Sequence, residues 1–474
     1  MKFVWLLTGI GAVASAAPSF NKDIAAILYE NCATCHRPGE VAPFSLLTYQ
    51  DAAKRAKLIA EATQKRFMPP WKAEPGYGEF AHERRLSDAQ IRTIQDWAVA
   101  GAPEGDGKPP ALPKFPEGWQ AGEPNLVLKM PVSFEVPADG PDSFQCFVIP
   151  SGQAQDVFIG GGEFRPGNPR VVHHALIMLD VTGRARELAK ANGGSSYPCF
   201  GGARIGSGGL LLGWAPGAVP QPVEPGIARR LEKGTDIVVQ IHYHPSGKVE
   251  HDQSQLGLRF SDAPTKGVAT MLLLNTNLYI PAGATDYPVK ASMTLPRDAD
   301  LFSIAPHAHY LGKEMKIDAH LPDGTSKPLI YIKDWDFNWQ GQYRYKEPVH
   351  LPAGTRIELA YTYDNSSANP QNPSNPPKAV RWGEQTTDEM ALAFLGFLLP
   401  TPADVQPFQQ SLQRQTLDNI LKNLQSVDDL PSEIPPATVQ RLRVAMALVD
   451  SNKNGKLDDN ERAILMRLID AAQR

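Results

Sequence analysis

Proline and glycine interrupt this chain so often that long regular elements are not expected. The sequence contains 43 Pro and 39 Gly among 474 residues, and 42 % of its residues are hydrophobic. Because proline breaks helices and both residue types favour turns, this composition is typical of a loop-rich, mostly β globular protein. The length also exceeds what one hydrophobic core supports, so we expect several domains.

The first residues predict export. Met1-Lys2 is a short basic start, Phe3 to Val13 is apolar, and Ala14-Ser15-Ala16 fits a cleavage site. This pattern is typical of a secretory signal peptide over residues 1–16, and the apolar run is shorter than the about 20 residues of a membrane span. We therefore expect a periplasmic or secreted protein without a membrane span. The net charge of −4, with no basic run between aromatics, argues against a nucleic-acid partner.

The pattern of apolar residues changes twice along the chain. The N-terminal part has helical spacing, and Ser87 with Gln90 fits a helix-capping box. The middle part alternates short β-type runs with Gly, Pro and Asp, as in β sandwiches. After the signal peptide we expect a helical domain at 17–105, a Pro/Gly linker at 106–124, sandwiches at 125–263 and 264–401, and a helical tail at 402–474.

The helical segment contains a heme-attachment motif. Residues 32–36 are C-x-x-C-H, in which Cys32 and Cys35 can form thioethers and His36 can be the proximal iron ligand. A zinc or redox pair is the alternative. The segment resembles class I cytochromes c, and this resemblance implies a small all-α domain. The resemblance to their methionine loop implies Met68, in RFMPPW, as the second axial ligand, with His82 as its competitor.

Three histidine clusters lie in the β region: His173-His174, His242-x-His244 and His307-x-His309. Residues i and i+2 of a strand share a face, so a His-x-His pair can hold a metal from two points. Adjacent histidines on a regular strand point to opposite faces. They can share a metal only at a bulge, at a strand end, or through different ring nitrogens. Imidazole-rich sites without thiolate favour copper or zinc.

The motifs around these histidines resemble the copper type II, ascorbate-dependent monooxygenases, the family of peptidylglycine α-hydroxylating and dopamine β-monooxygenases. VHHALIM and VVQIHY resemble the segments of its electron-transfer copper site, which implies His173, His174 and His242 as ligands. PHAHYLGK and TTDEMAL resemble those of its oxygen-binding copper site, which implies His307, His309 and Met390. The resemblance also implies two jelly-roll-like sandwiches with one copper each.

Some positions depart from the family pattern. Ala305 stands where the peptide-amidating enzyme has a substrate-binding Arg, and Leu392 and Phe394 replace its substrate-binding Asn and Tyr. The pocket is then more apolar, so peptide amidation is not expected. Met315 competes with Met390 as the thioether ligand.

Two further points stay open. His244 has no counterpart in the family, and either supports the site from outside or replaces or supplements His242. Most of the family's disulfides are missing: only Cys146, which falls in a family-like context, and Cys199 remain, and they either pair or stay free thiols.

The C-terminal tail contains a twelve-residue loop of the EF-hand type at 450–461. Oxygen-bearing side chains occupy its ligand positions, glycine occupies the sixth, and a backbone carbonyl is expected to serve at the seventh. The alternative is a polar turn. The expected calcium ligands are Asp450, Asn452, Asn454, Lys456, Asp458 and Glu461.

The fold class predicted from the sequence is therefore multidomain: a small all-α cytochrome c domain, two all-β copper sandwiches and a short helical EF-hand tail. The expected cofactors are a covalent heme c, two copper ions and calcium. A periplasmic electron donor would reduce the heme, and O₂ and a small organic substrate would react at the second copper.

The sequence is also compatible with two other functions. One is a non-enzymatic electron-transfer or copper-handling protein. The other is a heme-fused copper reductase of a small inorganic species. It is disfavoured because neither Cys146 nor Cys199 has His or Met at blue-copper spacing.

Overall fold

A computed structural model describes residues 17–472, except 41, 116–117, 201, 206–208, 217, 219, 221–223, 424–435 and 455–456. The expected signal peptide, residues 1–16, and Lys456 of the expected calcium loop therefore lie outside the described residues. The chain divides into two compact units. The first is the described part of Met1–Trp71 with Glu83–Phe115, and the second is Lys72–His82 with the described part of Pro116–Arg474.

The first unit consists of short helices joined by loops. A π-helical turn, Phe20–Ile24, precedes four α-helices: α1 (Ala25–Asn31), α2 (Tyr49–Ala53), α3 (Ala56–Gln64) and α4 (Asp88–Val99). Phe20, Leu28 and Trp97 are fully buried in its core. Ser87 and Gln90 form the capping box at the start of α4, as their spacing predicts.

The fold class predicted from the sequence is wrong. In the part of the chain that the structure describes, the fold is mostly β in a sandwich arrangement with only 19 % helix, and no N-terminal all-α cytochrome domain is evident. The helices before residue 105 are few and short because proline and glycine interrupt the helical spacing. Part of the expected helical segment is not helical at all: Ala73 and Phe80 form β-bridges with Ile332 and Tyr345.

The first sandwich packs a five-stranded antiparallel sheet, in the order β6-β3-β9-β5-β7, against a four-stranded one, β1-β11-β4-β8. Apolar side chains of both sheets, among them Phe147, Ile177 and Leu258, form one buried core. The strands are β1 (Leu126–Lys129), β2 (Phe134–Val136), β3 (Ser143–Pro150), β4 (Val157–Arg165), β5 (Val172–Asp180), β6 (Ser196–Pro198), β7 (Leu210–Trp214), β8 (Arg229–Leu231), β9 (Asp236–Tyr243), β10 (Glu250–Asp252) and β11 (Gln255–Ser261). Helix α5 (Arg184–Ala191) follows β5, and β2 pairs with β10.

The second sandwich pairs a sheet of order β12-β21-β15-β18 with one of order β14-β19-β16-β17. Buried tyrosine hydroxyls tie the two sheets: Tyr361 donates to the Leu392 carbonyl at 2.9 Å, and Tyr345 to the Leu329 carbonyl at 2.9 Å. The strands are β12 (Gly267–Leu274), β13 (Tyr279–Ile280), β14 (Tyr287–Thr294), β15 (Ala299–His307), β16 (Gly312–His320), β17 (Ser326–Ile332), β18 (Tyr343–Leu351), β19 (Arg356–Tyr363), β20 (Val380–Arg381) and β21 (Leu392–Leu399). Strands β13 and β20 form a separate pair.

The tail is helical. A 3₁₀ turn, Pro402–Asp404, leads into α6 (Val405–Asn423), followed by α7 (Pro436–Val449) and α8 (Asp459–Ala472). Phe408 of α6 packs against Phe397 of β21, with 5.4 Å between the ring centroids. Among the described residues, no helix combines the length and the hydrophobicity that crossing a bilayer requires.

Candidate metal centre

Two neighbouring strands of the first sandwich bring three imidazoles together. Strand β5 carries His173 and His174, and His242 on β9 lies opposite His174 in the antiparallel register. The register shifts between Val172 and His174, which puts an irregularity at His173. A bulge of this kind turns a side chain out of strict alternation, which explains how two adjacent imidazoles reach the same place.

The three rings converge through their nitrogens. His174 Nδ1 lies 3.3 Å from His173 Nδ1 and 3.3 Å from His242 Nδ1, and one ligand atom from each residue lies within 4.8 Å of the others. Burial lowers the pKa of His173 to about 3 and that of His174 well below its usual value. These two imidazoles are therefore neutral at pH 7, with lone pairs that suit copper or zinc.

Asp142 fixes the orientation of His242. Its carboxylate lies 2.9 Å from His242 Nε2 and 2.7 Å from His244 Nδ1. Burial acts to raise the pKa of Asp142, but the hydrogen bonds from the two histidines outweigh it and hold the pKa well below its usual value. His242 therefore donates through Nε2 and keeps Nδ1 for a metal. His244 shares Asp142 from outside, with 57 % of its side chain exposed.

His307 and His309 form a second group at the end of β15. Their ring centroids are 5.3 Å apart and their planes are perpendicular. His307 Nδ1 donates to Gln340 Oε1 at 2.6 Å, and His309 Nδ1 donates to the Asp388 carbonyl at 3.1 Å. Burial lowers the pKa of His307 to about 4 and that of His309 well below its usual value. Both rings are thus neutral at pH 7, and each has Nε2 free to accept from or bind a partner.

Glu389 connects Met390 to this second group. Its fully buried carboxylate accepts from the backbone N–H groups of His309, Met390 (2.7 Å) and Leu311 (2.9 Å). Burial raises the pKa of Glu389 to about 8, although these N–H donors oppose the shift. The same carboxylate thus fixes the backbone of both His309 and Met390, and the Met390 carbonyl accepts from the Tyr363 hydroxyl at 2.7 Å.

Phe337 lies between the two histidine groups. Its ring stacks on His173 at 4.6 Å between centroids and meets the edge of His309 at 5.6 Å. It is 2 % exposed. His173 belongs to the first sandwich and His309 to the second, so one buried aromatic ring forms a common wall of both groups.

The structure also places the residues that differ from the copper monooxygenases which the motifs resemble. Ala305 pairs with Phe394, and His307 with Leu392, across β15 and β21. The surroundings of His307 on this sheet are accordingly apolar. Met315 is fully buried on β16, opposite Ile332 of β17.

Sequence reasoning missed the residues that orient the imidazoles. Asp142, Gln340 and Phe337 belong to no local motif, and only the folding of the chain brings them to the histidines. Glu389 alone had a signal, because it precedes Met390 directly in the sequence.

The heme motif lies in the first unit, after α1. Cys32 and Cys35 are free thiols, and burial raises the pKa of Cys32 to about 12. His36 Nδ1 donates to the Phe44 carbonyl at 3.1 Å, which leaves Nε2 for a ligand. Met68 is half-buried just beyond α3. These residues fit covalent heme attachment. Two thiols that form no disulfide precede His36, and the hydrogen bond at its Nδ1 orients the ring so that Nε2 can bind iron.

The loop between α7 and α8 is held by its own carboxylates. Glu461, 1 % exposed, accepts from the Ser451 N–H at 2.8 Å and the Asp458 N–H at 3.0 Å. Asp450 accepts from the Asn454 N–H at 3.1 Å. An oxygen-rich loop between two helices fits a hard cation such as calcium.

Comparison with known proteins gives little further information. No family model and no curated protein matches the chain. Similar solved structures include the major capsid protein P2 of bacteriophage PM2, at 9 % identity, 57 % coverage of this chain, 96 % of that chain and a TM-score of 0.24. The VP2 subviral particle of infectious bursal disease virus is 8 % identical, with 61 % of this chain and 75 % of that chain covered and a TM-score of 0.19. PNGF-II is 12 % identical, with 58 % of this chain and 59 % of that chain covered and a TM-score of 0.20. At such TM-scores these similarities indicate nothing about function.

Proposed function

We propose that the protein is an exported dicopper monooxygenase that hydroxylates a C–H bond of a small organic substrate with O₂. The observation that carries the proposal is the convergence of His173, His174 and His242 within 4.8 Å, with a second histidine group on the other side of Phe337. A single imidazole cluster fits many metal proteins. Two clusters in contact with the same aromatic ring fit a reaction that needs two one-electron centres.

The two histidine groups differ in their candidate ligands, and this difference supports different roles for the two proposed copper sites. The three-histidine group offers nitrogen ligands and is oriented by Asp142, which suits a copper that transfers electrons. His307, His309 and Met390 offer two nitrogens and a soft thioether, a set of ligands that would suit a reducible copper. Bound copper would supply the one-electron chemistry that activates O₂ for insertion into a C–H bond.

The residues of the chain then have separate tasks around the substrate. Phe337 excludes water between the histidine groups, and the hydrogen bonds of Gln340 and Asp388 fix the rings of His307 and His309. The apolar positions Leu392 and Phe394 favour an apolar part of the substrate near His307. A peptide carboxylate finds no cation at Ala305, so peptide amidation is not proposed.

Cys32, Cys35 and His36, with Met68 as a further ligand, are proposed to hold a covalent heme, which would supply one-electron transfer. The free state of both thiols and the orientation of His36 through Phe44 support this part of the proposal. A periplasmic redox protein or an ascorbate-like reductant is the proposed donor. The loop at 450–461 is proposed to bind calcium in a structural role.

Metal analysis with electron paramagnetic resonance (EPR) tests the proposal. Protein matured with heme and loaded with copper should contain two tetragonal Cu(II) signals per covalent heme. A screen of small organic substrates should then show consumption of O₂ coupled to hydroxylated product. Copper binding together with substrate-free O₂ reduction alone would favour the non-enzymatic alternative.

Substitution of Met390 tests the assignment of the second group. Met390→Leu should abolish turnover and leave both heme reduction and the copper of the three-histidine group unchanged. Met315→Leu is the matched control, because Met315 is a buried methionine of the same sandwich and should retain turnover. Full activity in Met390→Leu, or its loss only in Met315→Leu, contradicts the assignment.

A further inference from the structure

A second candidate ligand site lies away from the histidines, in a cavity between the two sandwiches. The cavity has a volume of about 200 Å³ and is lined by strands β4, β7 and β8 of the first sandwich and by β12, β15 and β18 of the second. Gly160, Gly161 and Gly162 of β4 line it. Trp214, Val268 and Phe302 supply an apolar wall.

Arg229 places a positive charge in the wall of this cavity, with its side chain partly shielded from solvent. Its guanidinium donates to Thr270 Oγ1 at 3.0 Å. Burial lowers the pKa of Arg229 to about 10, so the side chain remains cationic at neutral pH. A charge that is partly shielded from water costs desolvation free energy unless an anion compensates it.

The acidic residues of the cavity wall are already engaged with other partners. Glu224 pairs with Arg344, and Glu163 pairs with Arg165 at 2.8 Å and accepts from the Ala121 N–H at 3.1 Å. The sequence has no acidic residue from 205 to 223, the stretch that leads through β7 to Glu224. Within the described part of the chain, Arg229 thus has a hydroxyl as its side-chain partner and no carboxylate.

We infer that this cavity binds a small organic carboxylate, with its carboxylate on the Arg229 guanidinium and its apolar part against Trp214 and Phe302. A guanidinium presents paired N–H donors that match a carboxylate, and a single uncompensated cation matches a single negative charge. The volume is below the about 300–1,000 Å³ of pockets for drug-sized ligands, so the ligand is small. The site is independent of copper and of the proposed hydroxylation.

Calorimetric titration of the full chain tests the inference with acetate, butyrate, benzoate and phenylacetate. Benzoate or phenylacetate should bind saturably with one site per chain, more tightly than acetate. Benzamide, which has nearly the same shape without the charge, should bind at least about tenfold more weakly. Equal binding of benzoate and benzamide, binding of chloride in place of the organic acids, or no saturable binding of any carboxylate would overturn the inference.

Variants locate the binding in the cavity. Arg229→Gln should remove carboxylate binding, whereas Arg230→Gln should leave it unchanged. Arg230 is the matched control because it is the next residue of β8, is 57 % exposed and is already paired with Asp156. Val268→Phe should also remove binding by filling the space without changing the charge. Thermal unfolding checks that each variant is folded, and persistent binding in folded Val268→Phe and Arg229→Gln would contradict the site.

Discussion

Asp142 decides which nitrogen of His242 is left for a metal. Because its carboxylate accepts from Nε2, the lone pair of Nδ1 points toward His174. The carboxylate is 3 % exposed, so water cannot readily replace it. A single buried acid 100 positions away in sequence therefore sets the tautomer of one proposed ligand. His244 shares the acid but is largely exposed, which agrees with a supporting position outside the three-histidine group.

Asp142→Asn should weaken copper binding at the three-histidine group by about 10–100-fold, the usual effect of losing a hydrogen bond to a metal-bound histidine. Competition titration against a chelator of known affinity measures the change. Asp156→Asn is the control, since that carboxylate pairs with Arg230 on the surface and should leave the affinity unchanged. An unaltered affinity in Asp142→Asn would show that the acid does not orient a ligand.

The sequence of β5 predicts the strand itself but not the convergence of its two histidines. The apolar, β-branched run around His173 and His174 predicts a strand, and the strand is Val172–Asp180. The irregularity beside His173 was only one of several possibilities in the sequence, because a bulge arises from pairing with β9 and not from local composition. The histidine positions were therefore visible in the sequence, whereas their convergence depends on the register of two strands that are distant along the chain.

The disulfide between Cys146 and Cys199 ties β3 to the segment after β6. Both residues are fully buried, and they lie 53 positions apart. Replacing both by alanine should lower the free energy of unfolding by about 2–5 kcal/mol, because the unfolded chain gains freedom and the core loses packing. Chemical denaturation measures the loss. A reductant should destabilise the natural chain and leave the double variant unchanged, and equal midpoints for both chains without reductant would contradict the prediction.

At the scale of the whole molecule, the sequence predicted the β character of the middle region but not the fold class. Helical spacing around the heme motif suggested an all-α domain, yet the chain is mostly β, and Ala73 and Phe80 bridge to strands of the second sandwich. Helical spacing alone does not distinguish a domain from a few short helices between loops. Phe337 and the Arg229 cavity could not be predicted either, since both arise where two sandwiches meet.

Electrons are proposed to reach the histidine groups from a heme held at Cys32, Cys35 and His36. The heme motif lies in the first compact unit and both histidine groups lie in the second, so loss of the heme should leave the copper ligands intact. Cys32→Ala with Cys35→Ala should remove covalent heme, seen by heme staining after denaturing electrophoresis, while the copper content stays unchanged.

If the heme is the entry point for electrons, this variant loses turnover with a protein electron donor and retains it with ascorbate. His82→Gln, the control, should retain both activities, because Met68 is the proposed axial ligand. Full turnover of the heme-free variant with the protein donor would show that electrons reach the copper by another route.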